Sequence, residues 1–475
     1  MTLKTRAQYL RSLHDLGAEV YRRGRRVPDV TKDGFTRLAL DGIGEIYDLA
    51  RDPQHRAQLT RTEDGKIFNV YTSIHRSPED IANRVRVARL LCQRTGVCTA
   101  SRCCGWDAIN ALWHTTHEVD ATLGTKYHRR LRRYVETVRR RDLTVAGALT
   151  DPKGNRALKP RHQPDPDAYL RVVDRDRKGI VVRGAKTMIG GAVGSHEILV
   201  QPGTGFSEDE RDHAVAFAVP MNADGVTQVV DRQMGDERKL EKGFDKGNVR
   251  FGSSESLVAF DDVFVPWERV FLCGEHEYAA DAVTKFVLLH RTVLGGCLAG
   301  MGDVLTGAAA LLAEYHGVSR PLQDRLAEMT FLSESLYAQA LGASYQGFAT
   351  PSGAWFPDPL LANVTKASVT RLPYEIQRLA EDIGGGLVSC MPSEADLRSA
   401  RVGPLVEKYY RTGVPAEKRL RAARLVESMV FGPGKLSTLC LHGGGSPAAA
   451  MMGIRQLADL ERKKDLARRL AGIEG

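Results

Sequence analysis

Apolar positions recur every three or four residues through roughly the first 141 residues, most regularly over 77–94 and 105–123, which predicts a helical N-terminal layer. From about Leu149 the pattern changes to short β-branched runs separated by Gly, Pro, Asp and Asn. These runs, 169–173, 180–182, 197–200, 215–219, 226–230, 257–260 and 263–265, predict a compact β domain. After Cys273 helical periodicity returns over 280–312, 322–345, 359–382, 392–411, 417–430 and 446–471. The sequence shows no internal repeat and no low-complexity linker. The expected fold class is therefore α+β, with an N-terminal helical domain at 1–148, a β-barrel-like domain at 149–275 and a C-terminal helical bundle at 276–475, packed as one body.

Composition narrows the function classes. The 475 residues are 43% hydrophobic and 26% charged, an ordinary globular balance that excludes collagen-like, disordered and membrane-dominated chains. The 67 basic and 58 acidic residues leave a net charge of +9, mild for this length. Runs such as 129–133 and 139–141 lack interleaved aromatics and read as solvated helix faces, or as a lure for an anionic substrate; no nucleic-acid partner is expected. The first 29 residues are amphipathic and hold no unbroken apolar core of a signal peptide. The most apolar stretch, 293–312, carries Asp303 and several glycines, and is expected to be a buried bundle helix with no role in a membrane. Eight cysteines are too few for a disulfide framework, and a cytoplasmic location is expected.

The cysteines are unevenly placed. Cys92, Cys98, Cys103 and Cys104 fall within thirteen residues, while Cys273, Cys297, Cys390 and Cys440 are dispersed and suit buried thiols. Thiolates ligate iron–sulfur clusters, and an imidazole can replace one of them. His290 and Cys297, seven residues apart, lie on one helix face with a rise of about 10 Å between them. Gly295-Gly296 would let the helix relax there or let a cluster approach the backbone. Structural zinc sites favour ligand pairs two to four residues apart, and no C-x2-C or H-x3-H pair is present. Plain core thiols and a core histidine are the other reading of the same residues.

The string His290-Arg291, Gly295-Gly296-Cys297, Gly300, Gly302-Asp303 resembles the 4-hydroxybutyryl-CoA dehydratase/vinylacetyl-CoA isomerase family, within the 4-hydroxyphenylacetate 3-hydroxylase superfamily. The likeness extends over nearly the whole chain, through Asp107-Ala108, Thr150-Asp151-Pro152-Lys153-Gly154, Ser195-His196-Glu197, Pro373-Tyr374-Glu375, Met391-Pro392-Ser393-Glu394 and Gly445-Ser446-Pro447. It implies an acyl-CoA dehydrogenase-like fold and a homotetramer. FAD is implied between the β block and the bundle, beside a [4Fe-4S] cluster.

Carried over residue by residue, the cluster ligands implied are Cys98, Cys103, His290 and Cys297, with Cys104 an alternative to Cys103, because four residues here separate Cys98 from Cys103 where the family has three. The flavin contacts implied are Leu149, Thr150, Asp151, Pro152, Lys153, Gly154, Asn155, Arg156, Lys186, Met188, Ile189, Gly190, Thr330, Asp382, Gly385, Gly386, Met391 and Pro392. His290 is the implied general base and Glu255 a substrate-side catalytic carboxylate. Leu294, Leu298 and Gly190 stand where the dehydratases have Tyr, Lys and Thr, which implies a more apolar pocket and a small-molecule acyl substrate, such as a CoA thioester, other than 4-hydroxybutyryl-CoA. A flavin-dependent phenol hydroxylase fed by a partner reductase and a non-catalytic binding subunit are the competing readings.

Overall fold

The structure, a computed structural model, describes residues 3–99, 101–232, 242–317, 320–432, 434, 436 and 443–473. Cys440, expected as a buried thiol, lies outside the described residues.

The N-terminal layer is helical but not wholly so. Helix α1 (Arg6–Leu16) is followed by strands β1 (Val20–Arg22) and β2 (Arg25–Arg26), then α2 (Thr36–Leu49), α3 (Arg56–Leu59) and the hairpin β3 (Thr60–Glu63) and β4 (Lys66–Asn69). Three long helices complete it: α4 (Pro78–Thr95), α5 (Ser101–Leu123) and α6 (Tyr127–Arg141). Local chemistry sets the ends of α4: Ser77 and Asp80 form a reciprocal capping box, Pro78 occupies the first turn, and Gly96 closes the helix in the left-handed conformation with φ 67°.

The β block contains β5 (Val145–Ala148), β6 (Arg171–Arg175), β7 (Gly179–Gly190), β8 (Glu197–Val200), β9 (Val215–Pro220), β10 (Val226–Val230), β11 (Glu255–Pro266) and β12 (Val270–Cys273). It is not barrel-like: the strands form a six-stranded sheet, β2-β1-β10-β11-β7-β6, and a four-stranded sheet, β12-β9-β8-β5, each with two open edges. Nor does it begin at residue 149. Strand β1 pairs in parallel with β10 (Val20 opposite Gln228), and β5 pairs in parallel with β8 (Val145 opposite Glu197). Both sheets therefore borrow strands from the N-terminal segment. Parallel neighbours need long crossovers, so the pairing cannot respect a boundary drawn along the chain.

The bundle is built around α7 (Ala279–His316), a 38-residue helix. Around it lie α8 (Arg320–Tyr345), α9 (Pro359–Val369), α10 (Leu372–Gly384), α11 (Gly386–Ser389), α12 (Glu394–Arg398), α13 (Gly403–Tyr410) and α14 (Ala416–Val430), with the small pair β13 (Phe348–Ala349) and β14 (Trp355–Phe356) and the final helices Pro447–Leu457 and Leu460–Ala471. The expected helix at 359–382 is broken, since Pro373 falls in the first turn of α10. The one at 446–471 breaks at Asp459, which takes φ 40° and caps the last helix. By length and composition the α7 region could cross a membrane, but 67% of its apolar window is buried, as expected of a core helix.

The glycines of α7 serve helix packing. A Cβ on Gly296 or Gly300 would overlap the carbonyl oxygens of Val85 and Arg89 on α4, and one on Gly295 or Gly302 would lie 2.5 Å from Leu336 O or Ser333 Oγ on α8. These residues remove side chains where two neighbouring helices come closest, and α7 continues unbroken through them. The expectation of a relaxed helix at Gly295-Gly296 is thus corrected.

Candidate active site

The expected metal ligands arrive from three elements. Cys98 lies in the loop after α4, Cys103 in the first turns of α5, and His290 and Cys297 on α7. The structure brings the thiols together: Cys297 is in hydrogen-bonding reach of Cys103, Cys92 and Cys98. These sulfur contacts, with burial, push the Cys297 thiol well above its ordinary range. Cys103 goes the other way, down to about 6, because its contact with Cys297 and the nearby Arg84 cation favour the thiolate against burial. Cys104 packs against β5, where a Cβ on Gly147 would sit 3.2 Å from its own, and burial raises its thiol. Cys103 is therefore the one turned toward Cys297. No disulfide joins the described cysteines, and Cys390 is exposed, against the expectation of a buried thiol.

A charged triad anchors this cluster. Arg84 of α4 donates through Nη2 to Asp107 Oδ2 at 2.7 Å, and its Nη1 lies 2.5 Å from Oδ1. The same Nη2 reaches Cys103 Sγ at 3.2 Å, and Nη1 donates to Leu289 O at 3.3 Å. Asp107 also accepts from His290 Nδ1 at 2.8 Å. Paired to Arg84, Asp107 is a carboxylate with no proton to give. His290 must then carry its proton on Nδ1, which leaves Nε2 as the basic nitrogen. The imidazole also stacks on Phe286 one turn earlier, with centroids 5.8 Å apart. Trp106, under the Arg84 guanidinium, and the buried Tyr71 complete the wall.

Above His290 lies a glycine loop. A Cβ on Gly444, at φ 71°, would come within 3.0 Å of Arg291 Cγ and 3.6 Å of His290 Cδ2. Arg291 clamps this loop through Nε to Gly444 O at 2.8 Å, and burial lowers its guanidinium to about 10. Glu255 is on another element, opening β11 opposite Gly190. Leu294 and Leu298 belong to the apolar core of the bundle, together with Cys92 and Cys297. Apolar Leu294 and Leu298 thus pack in the same buried cluster as Cys297.

The expected flavin contacts fall into two groups. In the first, Lys186 of β7 donates to Asp151 Oδ1 at 2.7 Å and to Leu149 O at 3.0 Å, and Thr187 N donates to Thr150 O at 2.8 Å. Lys186 and Asp151 are buried and spend their charges on each other, so they shape the loop. Burial lowers the Lys186 amine even beside its carboxylate. Pro152, Lys153, Gly154, Asn155 and Arg156 form an exposed turn with positive φ at Lys153 and Gly154. Met188 bulges from β7 opposite Leu257, 43% exposed and at φ 56°, a left-handed conformation that costs a side-chain-bearing residue about 1–2 kcal/mol. Ile189 beside it is buried and Gly190 ends the strand.

The second group lies on the bundle. Thr330, Asp382, Gly385 and Gly386 are exposed on α8, α10 and α11, Asp382 is held by Arg325 and Arg378, and Met391 and Pro392 follow half-buried. Among the described residues no hydrogen bond joins the two groups. Sequence reasoning missed Arg84 and Tyr71. Asp107 carried a readable signal, one turn after Cys103 on the same helix face.

Residues 5–272 match the N-terminal and residues 279–472 the C-terminal domain of the 4-hydroxyphenylacetate 3-hydroxylase family. The chain belongs to that family. Within it, the chain is 41% identical over 490 aligned positions to the 4-hydroxybutyryl-CoA dehydratase/vinylacetyl-CoA-Δ-isomerase of Clostridium aminobutyricum, covering 99% of this chain and 100% of that one. A solved oxygen-tolerant archaeal 4-hydroxybutyryl-CoA dehydratase from N. maritimus superposes with a TM-score of 0.96 at 40% identity, covering 100% of this chain and 96% of that one. The oxygenase component of 4-hydroxyphenylacetate 3-monooxygenase, solved with FAD and 4-hydroxyphenylacetate, gives 0.86 at 27% identity and 98% of each chain. The acyl-CoA dehydrogenase-like layout is shared more distantly with glutaryl-coenzyme A dehydrogenase, at a TM-score of 0.52 and 14% identity over 85% of this chain and 82% of that one.

Proposed function

We propose that this chain is a lyase or isomerase that uses FAD and a [4Fe-4S] cluster to dehydrate or isomerise a hydroxyacyl or enoyl substrate, thioester-linked and distinct from 4-hydroxybutyryl-CoA. The observation that carries the reading is the convergence of Cys98, Cys103, Cys297 and His290 in a chain so similar to a dehydratase. Three thiols and an imidazole are the donor chemistry of a site-differentiated cluster. When bound, the flavin supplies reversible one-electron chemistry and the cluster iron a Lewis acid for a leaving hydroxyl.

The chain's own residues then hold and move the proton. Arg84 pairs with Asp107, Asp107 accepts from His290 Nδ1 and fixes the ring, and Nε2 serves as iron ligand or as general base. The Gly443–Gly445 turn covers this face and excludes water without presenting a side chain to it. Lys186 and Asp151 brace the Leu149–Arg156 turn, and the exposed second group on α8, α10 and α11 would meet the same flavin from another subunit of a homotetramer, an assembly that light scattering on the purified protein tests.

Iron, acid-labile sulfide and flavin per chain, measured on anaerobically purified protein beside Cys297→Ala, test the function. The reading expects about four iron and four sulfide with FAD, and iron lost from the variant. The phenol hydroxylase is the second reading, favoured by the likeness to the monooxygenase component. It expects flavin without iron, and a Cys297→Ala variant that keeps its activity.

A further inference from the structure

The helix contact that brings Cys297 to Cys98 and Cys103 brings a fourth thiol to which the resemblance gives no part. Cys92 stands in the last turns of α4, buried, with its thiol in hydrogen-bonding reach of Cys297. The backbone holds it there. Its carbonyl accepts from Gly96 N at 2.8 Å, and a Cβ on Gly300 of α7 would lie only 2.9 Å from Cys92 Cβ. The Cys297 thiol thus touches three others, those of Cys103, Cys92 and Cys98. With His290, which acts on Cys103, five donors of the right chemistry lie close together, one more than the four irons of a [4Fe-4S] cluster would need. Of the five, Cys103 and His290 also have charged partners, Arg84 at 3.2 Å from Cys103 Sγ and the Asp107 carboxylate on His290 Nδ1.

We propose that Cys92 is an alternative fourth ligand, so that this chain can hold a [4Fe-4S] cluster through Cys92, Cys98, Cys103 and Cys297 while His290 is off the iron. The inference rests on the cluster reading above and deepens it. In the exchange the iron–nitrogen bond to His290 breaks, Cys92 releases its thiol proton to water, and its sulfur forms the new bond to iron; no electron is transferred. His290 is then free for proton transfer without leaving the cluster short of a ligand. An all-thiolate set also lowers the reduction potential relative to one that contains imidazole. If Cys92 is only a small apolar core residue, its removal has no bearing on iron retention.

The experiment is iron and sulfide content with Mössbauer spectra on anaerobically purified wild type, Cys92→Ala, His290→Ala and the double variant, each checked for folding by circular dichroism. Wild type and both single variants are expected to hold about four iron per chain. The double variant is expected to fall to less than half of that, and His290→Ala to lose any iron subsite distinct from the thiolate-bound ones and to show a lower midpoint potential. Loss of iron from His290→Ala alone, or equal iron in His290→Ala and the double variant, overturns the proposal. Iron-free wild type overturns the cluster reading itself, so the two failures are distinguished. If an alanine variant does not fold, Cys92→Val and His290→Leu, which also carry no donor, replace it with the same expected results.

Discussion

Removing Asp107 tests the energetic centre of the site. Its side chain is fully buried and that of Arg84 is 2% exposed. Truncation by Asp107→Ala leaves the guanidinium with no carboxylate; its remaining partners are the carbonyls of Leu289 and Cys103 and the Cys103 sulfur. Breaking a buried pair in this way costs about 3–5 kcal/mol, a large share of the roughly 5–15 kcal/mol that holds a domain folded. Replacing both partners with apolar residues of similar volume, Arg84→Met with Asp107→Leu, removes the stranded charge. What remains is the orphaned His290 Nδ1–H and the lost carbonyl contacts, about 1–3 kcal/mol. Urea unfolding of cofactor-free protein is the assay, read by tryptophan fluorescence; one of the four tryptophans, Trp106, has its ring 5.2 Å from the Arg84 guanidinium carbon. Asp107→Ala is expected to lose about 4 kcal/mol and the double variant clearly less. A single-variant loss under about 1 kcal/mol, or a double variant that loses the sum of the two singles, would refute the claim that uncompensated charge dominates here.

The α7 glycines give a graded series: Gly296→Ala and Gly300→Ala should each cost about 1–3 kcal/mol by forcing α4 and α7 apart, whereas Gly307→Ala, with nothing within 4 Å, should be neutral or gain about 0.5–1 kcal/mol, all read by thermal or urea melts. Acid sensitivity follows from His114, whose imidazole is lowered by burial to about 3. The unfolded chain takes up this proton below pH 6.5 and the folded one does not, so its contribution is complete above 6.5 and falls by about 1.4 kcal/mol per pH unit down to about 3. His114→Gln should flatten the dependence of the urea midpoint on pH across that window, and an unchanged slope would rule His114 out as a source. Met188→Gly should relieve the left-handed strain at the β7 bulge and leave stability unchanged or raised by up to about 1 kcal/mol, whereas Met188→Val should lower it; the two melts together check that the positive φ is real.

The long helices and the strand runs were legible because each buries one face or both, although the runs 257–260 and 263–265 join into the single strand β11 and β5 was not anticipated. Helix α4 was expected at 77–94 and spans Pro78–Thr95. The short N-terminal strands were not legible. Arg25 and Arg26 are exposed, and β1 owes its pairing to β10, some 200 residues on, so no local pattern marks it. The break at Pro373 was readable from proline chemistry, but the one at Asp459 depends on a backbone conformation that composition does not encode. In the site, the thiols and His290 showed in residue type and spacing. Arg84 and Tyr71 did not, because only the packing of α4 against α5 and α7 decides which of many arginines and tyrosines faces inward.

The motif on α7 has two jobs that sequence alone could not separate. Read as spacing, His290, Cys297 and the glycines between and after them suggested a helix opened to admit a cofactor. In the fold, the glycines admit neighbouring helices, and that close approach is what gives Cys297 its sulfur neighbours: Gly296 stands directly before it, and Gly300, one turn on, meets Cys92. A substitution at either glycine would therefore move α4 and with it Arg84, Asp107's partner, so packing stability and ligand geometry fail together. Gly295 and Gly302, which face α8, should affect stability while leaving the thiols in place. Iron retention compared between Gly300→Ala and Gly302→Ala separates these two faces, and equal retention in both would mean that the α4 contact does not set the ligand geometry.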